Sequence, residues 1–184
     1  MSNKLCGIDE AGRGPIAGDL VIAGCILHRG IDGLNDSKKL SAKKREELYK
    51  IIILNSDYHV EKFSAQDIDE KGIAACLKQG LKNIMTAMQT DNFLFDGNTT
   101  FGIKDLPTMV KADGKIAEVS AASIIAKVVH DNDILKEAKK YPEYQFEKHK
   151  GYGTKLHIEM IKKYGYCDIH RRTYKLKALE KTLF

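Results

Sequence analysis

Two acids, Asp9 and Glu10, close a short apolar run and lead straight into the glycine-rich stretch GRGPIAG at Gly12–Gly18. Asp96 follows a second such run, FLF at Phe93–Phe95, and Asp113 follows a third, at Thr108–Lys111. If these runs are strands of one sheet, the four carboxylates can meet on one side of it. Oxygen-only ligands suit Mg2+ or Mn2+, and two such ions can activate a water and stabilise the leaving oxygen in an in-line attack on a phosphodiester. Aspartates at turns are also common as plain surface residues, and the spacing alone leaves that reading open.

The glycines add a second chemistry. Gly12 and Gly14 flank Arg13, and residues without a Cβ let the backbone approach a ligand while the arginine reaches for phosphate. A dinucleotide fingerprint does not fit, because Gly12, Gly14 and Gly18 space as GxGxxxG and Pro15 sits where a helix would have to open. A plain turn after a strand is the other alternative. In the loop NDSKKL, Ser37, Lys38 and Lys39 are either phosphate contacts or charge flanking the next helix. From Pro142 the chain turns aromatic and basic, as a nucleic-acid surface is. There Lys150, Lys155, Arg171 and Arg172 accompany aromatics, and the stretch from Lys148 to Lys177 is expected to track a phosphate backbone, with Lys150–Gly153 as an exposed turn.

The elements that must position these groups follow from periodicity. Leu5–Ile8 reads as a strand ending at the first two acids, and Asp19–Leu27 as its hairpin partner at the sheet centre. Ser41 caps a helix running to about Asn55, and Tyr58–Phe63 alternates as a half-buried strand. Ser64 caps a helix in which Ile73, Leu77, Leu81, Ile84 and Met88 recur at core spacing. A long helix from Ile116 to about Lys140 carries small residues that suit close packing on the sheet, with Ser120 and Ser123 as packing and backbone-bonding groups. A last helix spans Thr154–Tyr164.

At 184 residues, 43% hydrophobic and 30% charged, the composition is that of one soluble domain, and the net charge of +5 suits a polyanionic partner or a merely solvated basic surface. No apolar run approaches the roughly 20 residues of a membrane span, and Met1–Cys6 lacks the apolar core of a secretory signal, so a cytoplasmic protein with no membrane partner is expected. Cys6, Cys25, Cys76 and Cys167 lack CxxC spacing and read as small core residues, and no HxxxH places two histidines on one helix face.

Taken in order, the motifs resemble the bacterial ribonuclease HII family over nearly the whole chain. They are GIDEAGRGPIAG at Gly7–Gly18, NDSKKLS at Asn35–Ser41, FDGN at Phe95–Asn98, KAD at Lys111–Asp113, SAASIIAKV at Ser120–Val128 and HKGYGT at His149–Thr154. The resemblance implies an α/β, ribonuclease H-like fold: a central mixed sheet flanked by helices, with a catalytic core over residues 1–140 and a helical, substrate-binding C-terminal region over 141–184 packed on the same domain. It implies that Asp9, Glu10, Asp96 and Asp113 are catalytic and bind two Mn2+ or Mg2+ ions. It further implies that Gly12, Arg13 and Gly14 read a ribose 2′-hydroxyl and nearby phosphate at an RNA to DNA junction, while Tyr152 stacks on the following deoxyribose. The expected substrates are RNA/DNA hybrids and duplex DNA carrying ribonucleotides, cut by a monomer on the 5′ side of the ribonucleotide to leave 3′-hydroxyl and 5′-phosphate ends. Asp19, where the family mostly has proline, and His130, where it has arginine, depart from the pattern. A catalytically silent hybrid binder is the rival reading, and the intact acids weigh against it, because clustered carboxylates repel one another unless a cation lies between them.

Overall fold

The computed structural model describes residues 4–176. Strands β1 (Cys6–Ala11), β2 (Leu20–Leu27), β3 (Ser56–Phe63), β4 (Phe93–Asp96) and β5 (Thr108–Met109) form a sheet of order β3-β2-β1-β4-β5. The β1–β2 and β2–β3 pairs are antiparallel, β1–β4 and β4–β5 parallel, so the sheet is mixed. Helices α1 (Ala42–Leu54), α2 (Ala65–Lys71), α3 (Ile73–Ala87) and α4 (Ala117–Lys140) accompany it. Helices α5 (Phe146–His149) and α6 (Lys155–Tyr164) follow α4 in the described part of the tail.

Strand β2 shows how the sequence makes three layers. Every one of its residues is buried, and alternate side chains go to opposite faces. Leu20, Ile22 and Ile26 join Leu77, Leu81 and Ile84 of α3, whereas Val21, Ala23, Cys25 and Leu27 join Leu48 and Ile52 of α1 and Ala121, Ile125 and Val128 of α4. Close approach of α4 depends on Gly7, where a Cβ would lie 2.3 Å from backbone atoms of Glu118 and Val119. The small residues of α4 serve the packing expected of them.

Three elements differ from the sequence expectation. Strand β1 runs through Asp9 and Glu10 to Ala11, held by pairing of those residues with Ala23, Ile22 and Val21. The helix capped by Ser64 stops at Lys71, where Gly72 at φ +82° breaks it from α3. Strand β5 ends at Met109, because Lys111 adopts a left-handed φ of +58° and turns the chain into a 3-10 turn, Ala112–Gly114. That turn carries Asp113.

Beyond α4, Tyr144, Phe146, Ile161 and Cys167 pack with Ile16, Ala17 and Ile134 in a third apolar cluster, which fastens the tail to the PIAG segment. Buried histidines brace it. Cys167 N–H donates to His170 Nδ1 at 2.9 Å, His170 Nε2 lies 3.0 Å from His157 Nε2, and His157 Nδ1 lies 2.9 Å from the Tyr152 carbonyl. A carbonyl only accepts, so His157 carries its proton on Nδ1 and His170 on Nε2. Burial pushes both rings down to about 4, which keeps them neutral and the chain of bonds intact.

Candidate active site

The parallel pairing of β1 with β4 sets Ile8 against Phe95, so Asp9 and Asp96 leave neighbouring strands one residue later on the same edge of the sheet. The turn after Lys111 brings Asp113 back to them, and its N–H donates to Asp96 Oδ2 at 3.3 Å. Carboxylate oxygens of Asp9, Asp96 and Asp113 all lie within 4.8 Å of one another. Glu10 lines the same cleft but stands outside this group of three, as its opposite direction on the strand requires, with Arg13 Nη1 3.7 Å from its Oε1. Its Oε2 is buried and makes no hydrogen bond among the described residues. The cleft, of about 600 Å³, is also lined by Arg13, Asp36, Lys38 and Lys39.

Electrostatics fit a cation. Burial, then the Glu10 and Asp96 charges, hold the Asp9 carboxyl well above the usual range against a hydrogen bond from Ser123. Burial and then Asp96 also raise Asp113, and burial raises Glu10 against the pull of Arg13. For Lys38, burial works against its charge but is outweighed by Asp9, Asp113, Asp36 and Asp96, which raise it. Three converging carboxylates, with no sulfur or imidazole among them, are a donor set suited to a hard divalent ion.

A second cleft of about 270 Å³ adjoins the first and shares Glu10, Arg13 and Lys38 with it. Its remaining walls include Gly12, Gly14, Ser37, Ser123, Lys127 and Tyr152. The NDSKKL loop is fixed from three sides: Asp36 accepts from Lys38 N–H, Arg45 donates to the Ser37 and Leu40 carbonyls, and the Ser37 and Ser123 hydroxyls meet at 2.8 Å. Ser37 is therefore buried and partnered, while Lys38 faces both clefts. Gly14 and Tyr152 come together, since a Cβ on Gly14 would lie 3.8 Å from the tyrosine ring.

Some tail residues are placed otherwise than expected. Lys150 folds back to donate to the Glu147 carbonyl and lines neither cleft, and Gly151 in its turn is buried. Lys127 of α4 supplies the cation there, 5.8 Å above the Tyr152 ring, a role its i,i+4 pairing with Asp131 disguises in sequence. Arg171 is a correction: it is 1% exposed and bonds backbone carbonyls, so it cannot be part of an outer phosphate-tracking face. Lys177 lies outside the described residues. Asp19 and His130 meet beneath the GRG turn, where a Cβ on Gly12 would lie 2.3 Å from the Asp19 carbonyl oxygen and 2.7 Å from the His130 ring.

The two glycines of the turn should consequently behave differently. Gly12 has φ +86° and no room, so Gly12→Ala should lose about 2 kcal/mol or more of stability, read in a denaturant melt. Gly14→Ala meets only ordinary contact and should leave the melt unchanged, so any loss of activity in it reports on the approach of substrate.

A sheet of this topology with aspartates gathered at the ends of parallel strands defines the ribonuclease H class of enzyme, and solved structures agree. Pyrococcus horikoshii ribonuclease H2 superposes with TM-score 0.78 at 31% identity, covering 97% of this chain and 96% of that one. The RNase HII of a PCNA complex from Archaeoglobus fulgidus gives TM-score 0.81 at 29% identity, covering 95% and 96%. Within that class the chain belongs to the ribonuclease HII family, whose model matches residues 6–177. Ribonuclease HII of Sulfurovum sp. (strain NBC37-1) is 59% identical over 100% of this chain and 98% of that protein, and that of Aliarcobacter butzleri (strain RM4018) is 57% identical over 96% and 93%. The protein is accordingly a ribonuclease H, an endonuclease of RNA/DNA hybrids. No helix among the described residues is long and apolar enough to cross a membrane.

Proposed function

We propose that this ribonuclease H cuts on the 5′ side of ribonucleotides, both in RNA/DNA hybrids and singly embedded in duplex DNA, leaving 3′-hydroxyl and 5′-phosphate ends. The observation that carries the reading is the adjacency of the two clefts, one built of carboxylates and one of the glycine turn and Tyr152, joined through Glu10, Arg13 and Lys38. Asp9, Asp96 and Asp113 would hold Mg2+ or Mn2+, with Glu10 at the rim as the fourth acid of a two-ion site. Bound ions of this kind lower the pKa of an attacking water and stabilise charge on the leaving 3′ oxygen. The chain's own groups orient the strand: Arg13 and Lys38 neutralise phosphate beside the acids, with Lys39 along the same cleft. The turn at Gly12–Gly14 meets the ribose, and the Tyr152 ring packs on the next sugar, where a 2′-hydroxyl would have to be desolvated against it. The enzyme acts as a monomer, residues beyond 140 serve substrate binding, and its task is removal of ribonucleotides from DNA during replication and repair in the cytoplasm.

A DNA duplex carrying one ribonucleotide tests this. Incision on its 5′ side with the stated ends, dependent on Mg2+ or Mn2+, is expected; cutting elsewhere, or none, would contradict it. Binding of the same duplex in Ca2+ should weaken steeply with salt, and Lys127→Ala should flatten the log–log slope by about one. A salt-independent affinity would remove the phosphate contacts from the account.

A further inference from the structure

Arg171 places a guanidinium inside the protein whose hydrogen-bond acceptors are all uncharged, with the charges of Asp19 and Asp69 acting on it without a hydrogen bond. Nε donates to the Gly18 carbonyl at 3.1 Å, and Nη2 to those of Gly12 at 2.6 Å and Gly18 at 2.8 Å. Nη1 donates to Pro15 O at 2.8 Å, Arg13 O at 3.3 Å and the Tyr174 hydroxyl at 3.1 Å. The Tyr174 hydroxyl in turn donates to Arg13 O at 3.1 Å. Burying a charge is costly, and burial does lower this guanidinium's affinity for its proton. The cost is offset by carbonyls that a strandless, helixless GRGPIAG segment would otherwise leave unbonded. Only a planar fork of five donors reaches acceptors spread over seven residues of chain, from Gly12 to Gly18.

The orientation of the turn follows. The chain contains no cis peptide among the described residues, and in a trans peptide the N–H points opposite to the C=O. Since the carbonyls of Gly12 and Arg13 face the buried guanidinium, the N–H groups of Arg13 and Gly14 face away from it. Among the described residues neither N–H donates to any group of the chain. The cleft lined by Gly12, Arg13, Gly14 and Tyr152 lies on that turn.

We propose that Arg171 is a positioning residue for recognition: by holding the carbonyls of the turn inward it aims the N–H groups of Arg13 and Gly14 at the ribose oxygen of the substrate. The inference rests on the function proposed above and deepens it by naming what orients the reading groups. It gives the tail a second duty, since the residue that orders the turn comes from beyond α6.

The test is a ratio that does not depend on the folded fraction of a variant. Affinity in Ca2+ is measured for two duplexes, one all-DNA and one with a single ribonucleotide, in wild type, Arg171→Lys and Tyr174→Phe, alongside thermal melts. Arg171→Lys keeps the charge but loses the fork, and its preference for the ribonucleotide duplex should fall about tenfold while all-DNA affinity is kept. Tyr174→Phe removes one bond to Arg13 O and should lower the preference about threefold, and it carries the test alone if Arg171→Lys does not fold. A preference unchanged in Tyr174→Phe and in any folded Arg171→Lys would overturn the role of Arg171. No preference in the wild type would instead overturn the function on which the inference rests, and the inference with it.

Discussion

Asp9→Asn should lose at least about a thousandfold in cleavage while the protein becomes more stable. Asp9 is 7% exposed within β1, among the Asp96 and Asp113 carboxylates. Its carboxyl is held well above its ordinary range by burial first and by Glu10 and Asp96 next. Between the ordinary pKa of an aspartate and this raised one, the folded protein binds more protons than the unfolded chain, so stability falls as pH rises through that window. Asparagine has no such proton to lose. The metal-free variant should therefore melt higher than wild type at neutral pH, and the difference should shrink on acidification. Adding Mg2+ should raise the wild-type melting temperature more than the variant's, because a cation bound to the folded state alone stabilises by mass action. Melts with and without Mg2+, run beside a cleavage assay, check all three. Full activity in Asp9→Asn would remove this residue from the chemistry, and a variant less stable than wild type would show that the carboxylate is structural.

The parts of this site that a sequence can show are those marked by local pattern. Asp96 closes a run that does form a strand, Asp9 lies on the continuation of another, and only Thr108–Met109 of the run before Asp113 pairs. Ser41 and Ser64 accept from the N–H groups expected of helix caps, and Thr154, read as the first residue of the last helix, is its cap. What was illegible depends on long-range partners. Nothing local tells that Asp9 and Glu10 continue in strand pairing, which separates Glu10 from the group of three. The one helix expected from Ser64 through the Ile73–Met88 pattern becomes two, because the positive φ of Gly72 breaks α2 from α3. Arg171 reads as surface charge because arginine is seldom fully buried, and the carbonyls it bonds lie more than 150 residues away, as the span from Gly18 to Arg171 shows. The one available signal was the GRGPIAG segment itself, whose carbonyls had to find donors somewhere.

The second large effect concerns the substrate. If the turn at Gly12–Gly14 reads a ribose hydroxyl, removing that single group should abolish incision, since a site built to bond a polar group rejects an analogue lacking it by about 10⁴-fold or more. Tyr152, 42% exposed and beside Gly14, adds the other half of the selection through the next sugar. Tyr152→Ala should keep cleavage of a continuous hybrid but lose its preference for the junction. The most direct measurement places ribose, 2′-deoxyribose or 2′-O-methyl ribose at one position of an otherwise identical DNA duplex and compares incision rates in Mg2+. Cutting confined to the ribose duplex is the expected result, and equal cutting of all three would contradict it.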